Sequence, residues 1–438
     1  MKTIKNDENA EGMNRRKFFT AAGTVAAGTA ALTAGLPLAG ARAAENEAGK
    51  QEAKGPSMEE LDRVAAEPVL KLDGLQAPVM IDSIRLLKKG KEFLVHVQSK
   101  DGAEGVAFVN ETRGDMFAPI LNQLVIPFFI GKDARDMENL LWELYRWKSN
   151  YKLYGLAFWS TQAWVEFAIL DMLGRITGKP IGAMVGDIVR SEVPIYVASG
   201  RRDTTPQQEV EYLQTLLDRS GAKALKFRVG GRMSRNADAM PGRTEKLIPL
   251  ARKTFGDNID IHADANSSYD PPKAIEVGRM LEDIKAVYFE EPCPFDHFGD
   301  TKIVADALDI PIACGEQEYS DWRHKWIIAN RAIDVVQTDL YYYGGLVRAI
   351  RVARMAQAAK LPITLHLSGG AGFAYMLHFA SCVPNIGQYQ EYKLGTETYG
   401  SLFDPAIKVK DGKMSVPAGP GLGIKDLKGL LQNAAEIK

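Results

Sequence analysis

Hydrophobic and polar positions change rhythm twice along the chain. Residues 79–87 and 93–98 alternate with the period of two of half-buried strands, Lys100-Asp101-Gly102 offers a turn, and 105–109 resumes the alternation. Over 117–186 the spacing becomes helical, chiefly at 137–147 and 161–176, and Gly178-Lys179-Pro180 ends it. Strands followed by helices predict an α+β unit over 67–190. From Val193 onward short apolar runs recur at 194–198, 224–229, 259–264, 286–290, 310–315, 335–338, 363–366 and 386–391, each followed by a helical pattern. Successive runs end roughly 30 residues apart, the length of a βα unit. The fold class expected is α/β, a (β/α)8-type barrel over 191–400. An open doubly wound sheet ranks second, because no glycine-rich dinucleotide-binding turn follows the first strand. The tail, 401–438, carries a Gly/Pro-rich stretch at 417–423 and is expected to pack back on the first unit.

Residues 1–43 stand outside this pattern. Met13-Asn14-Arg15-Arg16-Lys17-Phe18-Phe19 precedes an Ala/Gly/Thr-rich apolar run over 20–40, and Ala41-Arg42-Ala43 follows as a small-x-small cleavage site. That order is an export signal. The twin arginine followed by Phe resembles signals read by the Tat machinery, which exports folded proteins. The mature chain is expected to be periplasmic, or tethered to the inner membrane if the signal stays uncut, with 44–66 as a flexible leader. The 438 residues carry 54 Lys+Arg against 55 Asp+Glu, without the basic footprint of a nucleic-acid binder. Cys293, Cys314 and Cys382 are too few for a disulfide scaffold.

In a barrel, chemistry sits at the C-terminal ends of the strands. The second run ends in Lys226-Phe227-Arg228, the third in Asp264, the fourth in Glu290-Glu291-Pro292 and the fifth in Gly315-Glu316-Gln317. The sixth ends near Asp339, the seventh in His366 and the eighth in Glu391. Each one alone reads as a helix cap, a loop charge or a structural histidine. Their recurrence on successive strands does not. Asp264, Glu290 and Glu316 come from adjacent strands, and three converging carboxylates repel one another unless a cation lies between them. All-oxygen donors suit Mg²⁺, and no Cys/His spacing suggests zinc. His262 shares the strand face of Asp264 and is left out of the ligand set. Asp339 beside His366 would fix the imidazole tautomer and raise its basicity. Lys226 and Arg228 share one strand face and are expected to approach the metal from the side opposite His366.

This set resembles the enolase superfamily, and the Asp339–His366 pair resembles its mandelate racemase (mandelate racemase/muconate lactonizing enzyme-like) subgroup. The resemblance runs from about 75 to 430. It includes Trp164-Val165-Glu166-Phe167-Ala168-Ile169-Leu170-Asp171, Gly178-Lys179-Pro180-Ile181 and Gly419-Pro420-Gly421-Leu422-Gly423. It implies a modified TIM barrel under an α+β capping domain, whose loops around Asn110 to Met116 select the substrate. It also implies symmetric homo-oligomers. The implied first step removes a proton α to a carboxylate, with Mg²⁺ on Asp264, Glu290 and Glu316 stabilising an enediolate. His366 would be the base, Asp339 its partner, Glu391 a hydrogen-bonding partner of the substrate carboxylate, and Lys226 its neutralising charge. Arg228 departs from the subgroup's Lys-x-Lys pattern, and a guanidinium with pKa above about 12 is a poor base. One-base chemistry is therefore favoured: His366 takes the proton and returns it to the leaving β-hydroxyl of a sugar acid, with Arg228 free to bind a hydroxyl or a second carboxylate. An epimerase, racemase or lactone/anhydro-sugar cycloisomerase on the same intermediate is the alternative. A non-catalytic sugar-acid binder would carry a broken catalytic set, and here the set is intact.

Overall fold

The computed structural model describes residues 55–110 and 113–438. The signal-like segment 1–43 and the first part of the leader lie outside the described residues. Strands β1 (Ile81–Lys89), β2 (Glu92–Ser99) and β3 (Glu104–Phe108) form an antiparallel sheet, β1 and β2 pairing from Ile81↔Ser99 to Lys89↔Glu92. Helix α1 (Leu156–Thr177) packs against β2 and β3. It is apolar on nearly every face and buried from Phe158 to Gly174, as a helix enclosed on all sides must be. Its two buried acids tie the parts of the molecule together. Asp171 accepts Val106 N of β3 at 2.9 Å and Leu422 N of the tail at 2.7 Å. Glu166 accepts Val347 N, from the barrel side, at 2.9 Å.

The barrel strands are β4 (Glu192–Ala198), β5 (Ala224–Arg228), β6 (Asp260–Asp264), β7 (Tyr288–Glu290), β8 (Ile312–Cys314), β9 (Val335–Asp339), β10 (Ile363–His366) and β11 (Gln390–Tyr392). They are parallel in sequence order; β11 pairs with β4, and an Ile363↔Ile386 bridge joins β10 to the approach of β11. Between them run α2 (Pro206–Ser220), α3 (Arg243–Phe255), α4 (Pro271–Asp283), α5 (Phe298–Ala307), α6 (Asp321–Ala329), α7 (Leu346–Ala358) and α8 (Phe373–Cys382). The local signals are plain at α2: Thr205 and Gln208 form a reciprocal capping box, Pro206 opens the helix and Gly221 closes it. After β11 comes a 3₁₀ segment, Thr396–Leu402, in place of an eighth crossover helix. The hairpin β12 (Val409–Lys410) and β13 (Lys413–Ser415) then pairs with the start of β4, and β14 (Ala435–Glu436) adds to β1. The tail thus returns to the first unit.

Two sequence expectations change. The leader expected over 44–66 is not flexible throughout: Met58–Ala65 is a helix, capped by Ser57 Oγ on Glu60 N at 3.1 Å. Leu61 is fully buried and Asp62 pairs with Lys325 of α6, so a few apolar contacts anchor an otherwise polar segment. The last strand, expected over 386–391, begins only at Gln390. The Gln390 side-chain oxygen accepts Leu365 N at 2.9 Å, so a side chain takes up a β10 donor. Among the described residues no helix is long and apolar enough to cross a membrane.

Burial pushes the Glu166 carboxyl up to about 7, against the hydrogen bonds from Val347 and Gln162. Its folded pKa therefore exceeds the unfolded value, and its contribution is full below the unfolded pKa and lost as pH rises through about 7. Glu166→Gln is expected to gain stability relative to wild type as pH rises from about 5.5 to 8.5, read by denaturant unfolding at each pH.

Candidate active site

Parallel pairing sets the heights of the functional residues. Arg228 of β5 lies beside Asp264 of β6, and Asp264 beside Glu290 of β7. Glu316 follows β8 through Gly315, whose φ of 130° suits glycine; a side chain there would collide with the Gln337 carbonyl. One carboxylate oxygen each from Asp264, Glu290 and Glu316 lies within 4.8 Å of the other two. The remaining oxygens are committed: Asp264 Oδ1 accepts Asn266 N at 2.7 Å, Glu290 Oε2 accepts Lys226 Nζ at 2.7 Å, and Glu316 Oε1 accepts Gln317 Nε2 at 3.0 Å. Glu290 Oε1 and Glu316 Oε2 are buried without hydrogen-bond partners, while Asp264 Oδ2 meets the Arg228 guanidinium. Three buried carboxylates converging this closely fit a hard divalent cation.

Positive charge from the protein offsets part of the repulsion. Lys226 is fully buried, with Nζ 3.2 Å from Glu391 Oε1 and 3.9 Å from Asp264 Oδ2. Burial alone would lower its pKa, but the Glu290 and Glu391 carboxylates outweigh burial and raise it. Arg228 Nη1 presses against Asp264 Oδ2, while its Nε donates to the Ser199 carbonyl at 3.1 Å. Glu391 Oε2 accepts Leu367 N at 2.7 Å, so this acid is engaged by backbone and lysines. Burial would raise its pKa; Lys226, Lys393 and His366 bring it well below the ordinary value.

His366 pairs in register with Asp339, and its Nδ1 lies 2.7 Å from Asp339 Oδ2. Ser368 Oγ donates to the same oxygen, and Tyr341 N and Tyr342 N donate to Asp339 Oδ1 at 2.8 and 3.0 Å. Asp339 is thereby held rigidly. His366 Nε2 is 3.6 Å from Glu316 Oε2, so the ring spans Asp339 and the acid triad. Burial lowers its pKa and Lys393 opposes protonation, but Glu316 and the Asp339 hydrogen bond prevail and raise it.

The barrel mouth thus gathers all eight residues singled out in the sequence. It also holds Lys393, whose Nζ is 3.4 Å from His366 Nε2 and 3.5 Å from Glu391 Oε2. Its signal was present: two residues after Glu391, it follows the strand's period of two. Asn266, Arg202 and Arg232 had no such signal, since they lie on loops. His262 stays out of the metal set. It bonds the Leu225 carbonyl at 3.0 Å between the Tyr196 and Tyr288 rings, and burial lowers it to about 4. Cys293 is structural, its thiol pushed up to about 12 by burial. Residues 111 and 112 of the expected closing loop lie outside the described residues. Arg113 and Phe117 line a cavity of about 380 Å³ beside the triad, with Arg232, Asn266, Ser267 and Tyr342.

Comparison with known proteins agrees with this geometry. Residues 208–426, half of the chain, match the family "Enolase C-terminal domain-like". The chain is 28% identical over 308 residues to an arabinonate dehydratase of Saccharolobus solfataricus, covering 69% of this chain and 79% of that relative. A candidate racemase of Roseobacter denitrificans has a solved structure that aligns at 35% identity and a TM-score of 0.75, covering 82% of this chain and 99% of that one. A mandelate racemase/muconate lactonizing protein of Paracoccus denitrificans, solved in complex with magnesium, shares the fold at 24% identity and a TM-score of 0.75, covering 82% of this chain and 99% of that one. With the barrel, the strand-end acids and these similarities together, the chain belongs to the enolase C-terminal domain-like family of enzymes, within the enolase superfamily.

Proposed function

We propose that this enzyme is a Mg²⁺-dependent sugar-acid dehydratase, which removes the proton α to a carboxylate and expels the β-hydroxyl as water. The observation that carries the proposal is His366, held by Asp339 at 2.7 Å with Nε2 beside the acid triad, while Arg228 stands where a second base would be needed. The dehydratase named among the similar proteins supports the same reading.

Asp264, Glu290 and Glu316 would hold Mg²⁺, which when bound supplies positive charge that lowers the barrier to removing a proton next to a carboxylate. Lys226 adds fixed positive charge at the same place and is kept there by Glu290 and Glu391. Asp339 accepts a hydrogen bond from Nδ1–H, so neutral His366 presents a lone pair at Nε2. Nε2 takes the C2 proton, and Asp339 stabilises the resulting imidazolium. The Nε2 proton then passes to the departing C3 hydroxyl, the C3–O bond breaks and water leaves. The enol left between C2 and C3 tautomerises to a 2-keto-3-deoxy acid. Arg228 cannot protonate and deprotonate the opposite face near neutral pH, which disfavours racemisation. Export through the Tat machinery, from the twin arginine at Arg15 and Arg16, completes the proposal and would place the enzyme in the periplasm.

Proton NMR in D₂O with Mg²⁺ and a panel of sugar acids tests the reaction. Loss of the C2 proton with a new 2-keto-3-deoxy product is expected, and His366→Asn should slow it roughly 10²–10⁴-fold. Deuterium entering C2 without loss of water would instead establish epimerisation. Metal binding has its own readout: Mg²⁺ at a hundredfold excess over its Kd should stabilise wild type by about 2.7 kcal/mol, and Glu316→Gln by much less. Replacing Arg15 and Arg16 by Lys should retain the full-length precursor in the cytoplasmic fraction.

A further inference from the structure

The base assigned to His366 has little room to move. Asp339 holds Nδ1 at 2.7 Å, the Tyr342 ring lies alongside at 6.2 Å and 24°, and the side chain is 11% exposed. Expelling a β-hydroxyl needs one proton taken at C2 and one given at the C3 oxygen, on the neighbouring carbon. An imidazole pinned at its far nitrogen is set for the first task. The second calls for a donor with more freedom.

Lys393 is placed to be that donor. Its Nζ lies 3.4 Å from His366 Nε2, the nitrogen that takes the C2 proton, and donates to the Leu367 carbonyl beside it. Its carboxylate partner, Glu391 Oε2, is 3.5 Å away and already accepts Leu367 N at 2.7 Å, while Glu391 Oε1 faces Lys226. The Lys393 side chain is 31% exposed, so its ammonium stands at the edge of the site on a flexible four-carbon stem. Other groups at the mouth fit the task less well. Lys226 is fully buried among Glu290, Glu391 and Asp264. The guanidiniums of Arg113, Arg202, Arg228 and Arg232 release no proton near neutral pH. Burial raises the Tyr342 phenol and makes it the poorer donor. Glu291, which burial and the Glu316 and Glu290 carboxylates push toward its neutral form, follows β7, three strands from β10, and its Oε2 faces Asn266 Nδ2 at 3.4 Å.

We propose that Lys393 is a catalytic residue, the general acid that protonates the departing hydroxyl in partnership with His366. The inference rests on the proposed function and gives its proton a path. His366 Nε2 takes the C2 proton. As the C2 electron pair moves into the C2–C3 bond, the C3–O bond breaks with its pair on oxygen, and a proton from Lys393 Nζ joins that oxygen to give water. Neutral Lys393 then takes the proton held at Nε2, 3.4 Å away, and both side chains are back in their starting forms. An alkylammonium is a stronger acid than water and a weaker one than an imidazolium, so both transfers run downhill.

Leaving-group chemistry tests it, because fluoride departs without a proton. The probes are an aldonate of the sugar-acid panel that wild type dehydrates and its 3-deoxy-3-fluoro analogue of the same configuration, which give the same 2-keto-3-deoxy product. Lys393→Met should slow loss of the hydroxyl about a hundredfold more than it slows loss of fluoride. Lys393→Arg, which keeps the charge but is a far poorer proton donor, should show the same split. His366→Asn should slow both reactions alike, since each needs the C2 proton removed. Melting with and without Mg²⁺ checks that each variant is folded. Equal slowing of both leaving groups in Lys393→Met, no slowing of either, or hydroxyl loss at the wild-type rate in Lys393→Arg would overturn the acid role while leaving the dehydratase standing. A wild type that expels neither water nor fluoride from any acid of the panel would overturn the dehydratase reading, and this role with it.

Discussion

Asp264, Glu290, Glu316 and Glu391 are all buried around one buried lysine, and the repulsion among them governs the barrel mouth. Charges removed from water are costly unless paired and hydrogen-bonded. Each nearby group meets part of that cost. Lys226 joins Glu290, Glu391 and Asp264, Arg228 leans on Asp264, and His366 faces Glu316. Glu291, buried next to Glu290 and Glu316, is pushed well above the ordinary carboxylate range, which favours its neutral form. Three carboxylates nevertheless converge on one point, with Glu290 Oε1 left without a partner, and that convergence is the physical argument for a divalent cation.

The convergence depends on strand register. In a parallel ladder a shift of one residue would turn a side chain to the other face. The pairings Arg228↔Asp264, Asp264↔Glu290 and His366↔Asp339 put acid, base and cation at one height. Helix α1 holds that ring against the N-terminal sheet through buried carboxylates that accept backbone donors from the sheet, the tail and the barrel. The cap contributes Arg113 and Phe117 to the cavity wall, and the barrel loops contribute Arg232, Asn266 and Ser267. The acids, the lysine and the histidine therefore rest on strands or just past their ends, and the cavity wall rests largely on loops.

Much of this was legible in the chain. The βα period is local, and the strand end follows from it, so Lys226, Asp264, Glu290, Glu316, Asp339, His366 and Glu391 could be aligned by position alone. The identity of Arg228 already argued against a second base, because guanidinium chemistry needs no structure to state. Lys393 obeys the same period but lies one residue past the end of β11, so the strand-end pattern does not single it out.

What tertiary structure decided has a common cause: contacts between segments far apart in sequence carry no local signature. Arg202 reaches Asn266 across 64 positions and Arg232 across 34, and they meet only once the ring of strands has closed. The leader helix forms because Leu61 finds a core and Asp62 finds Lys325. The last strand is short because a Gln390 side chain takes a donor of β10. The sequence by itself determined the barrel, the converging acids and the His366–Asp339 pair, since periodicity and residue chemistry act locally. Only the closed fold decided how buried charges are shared and where the arginines gather, since electrostatics acts through space.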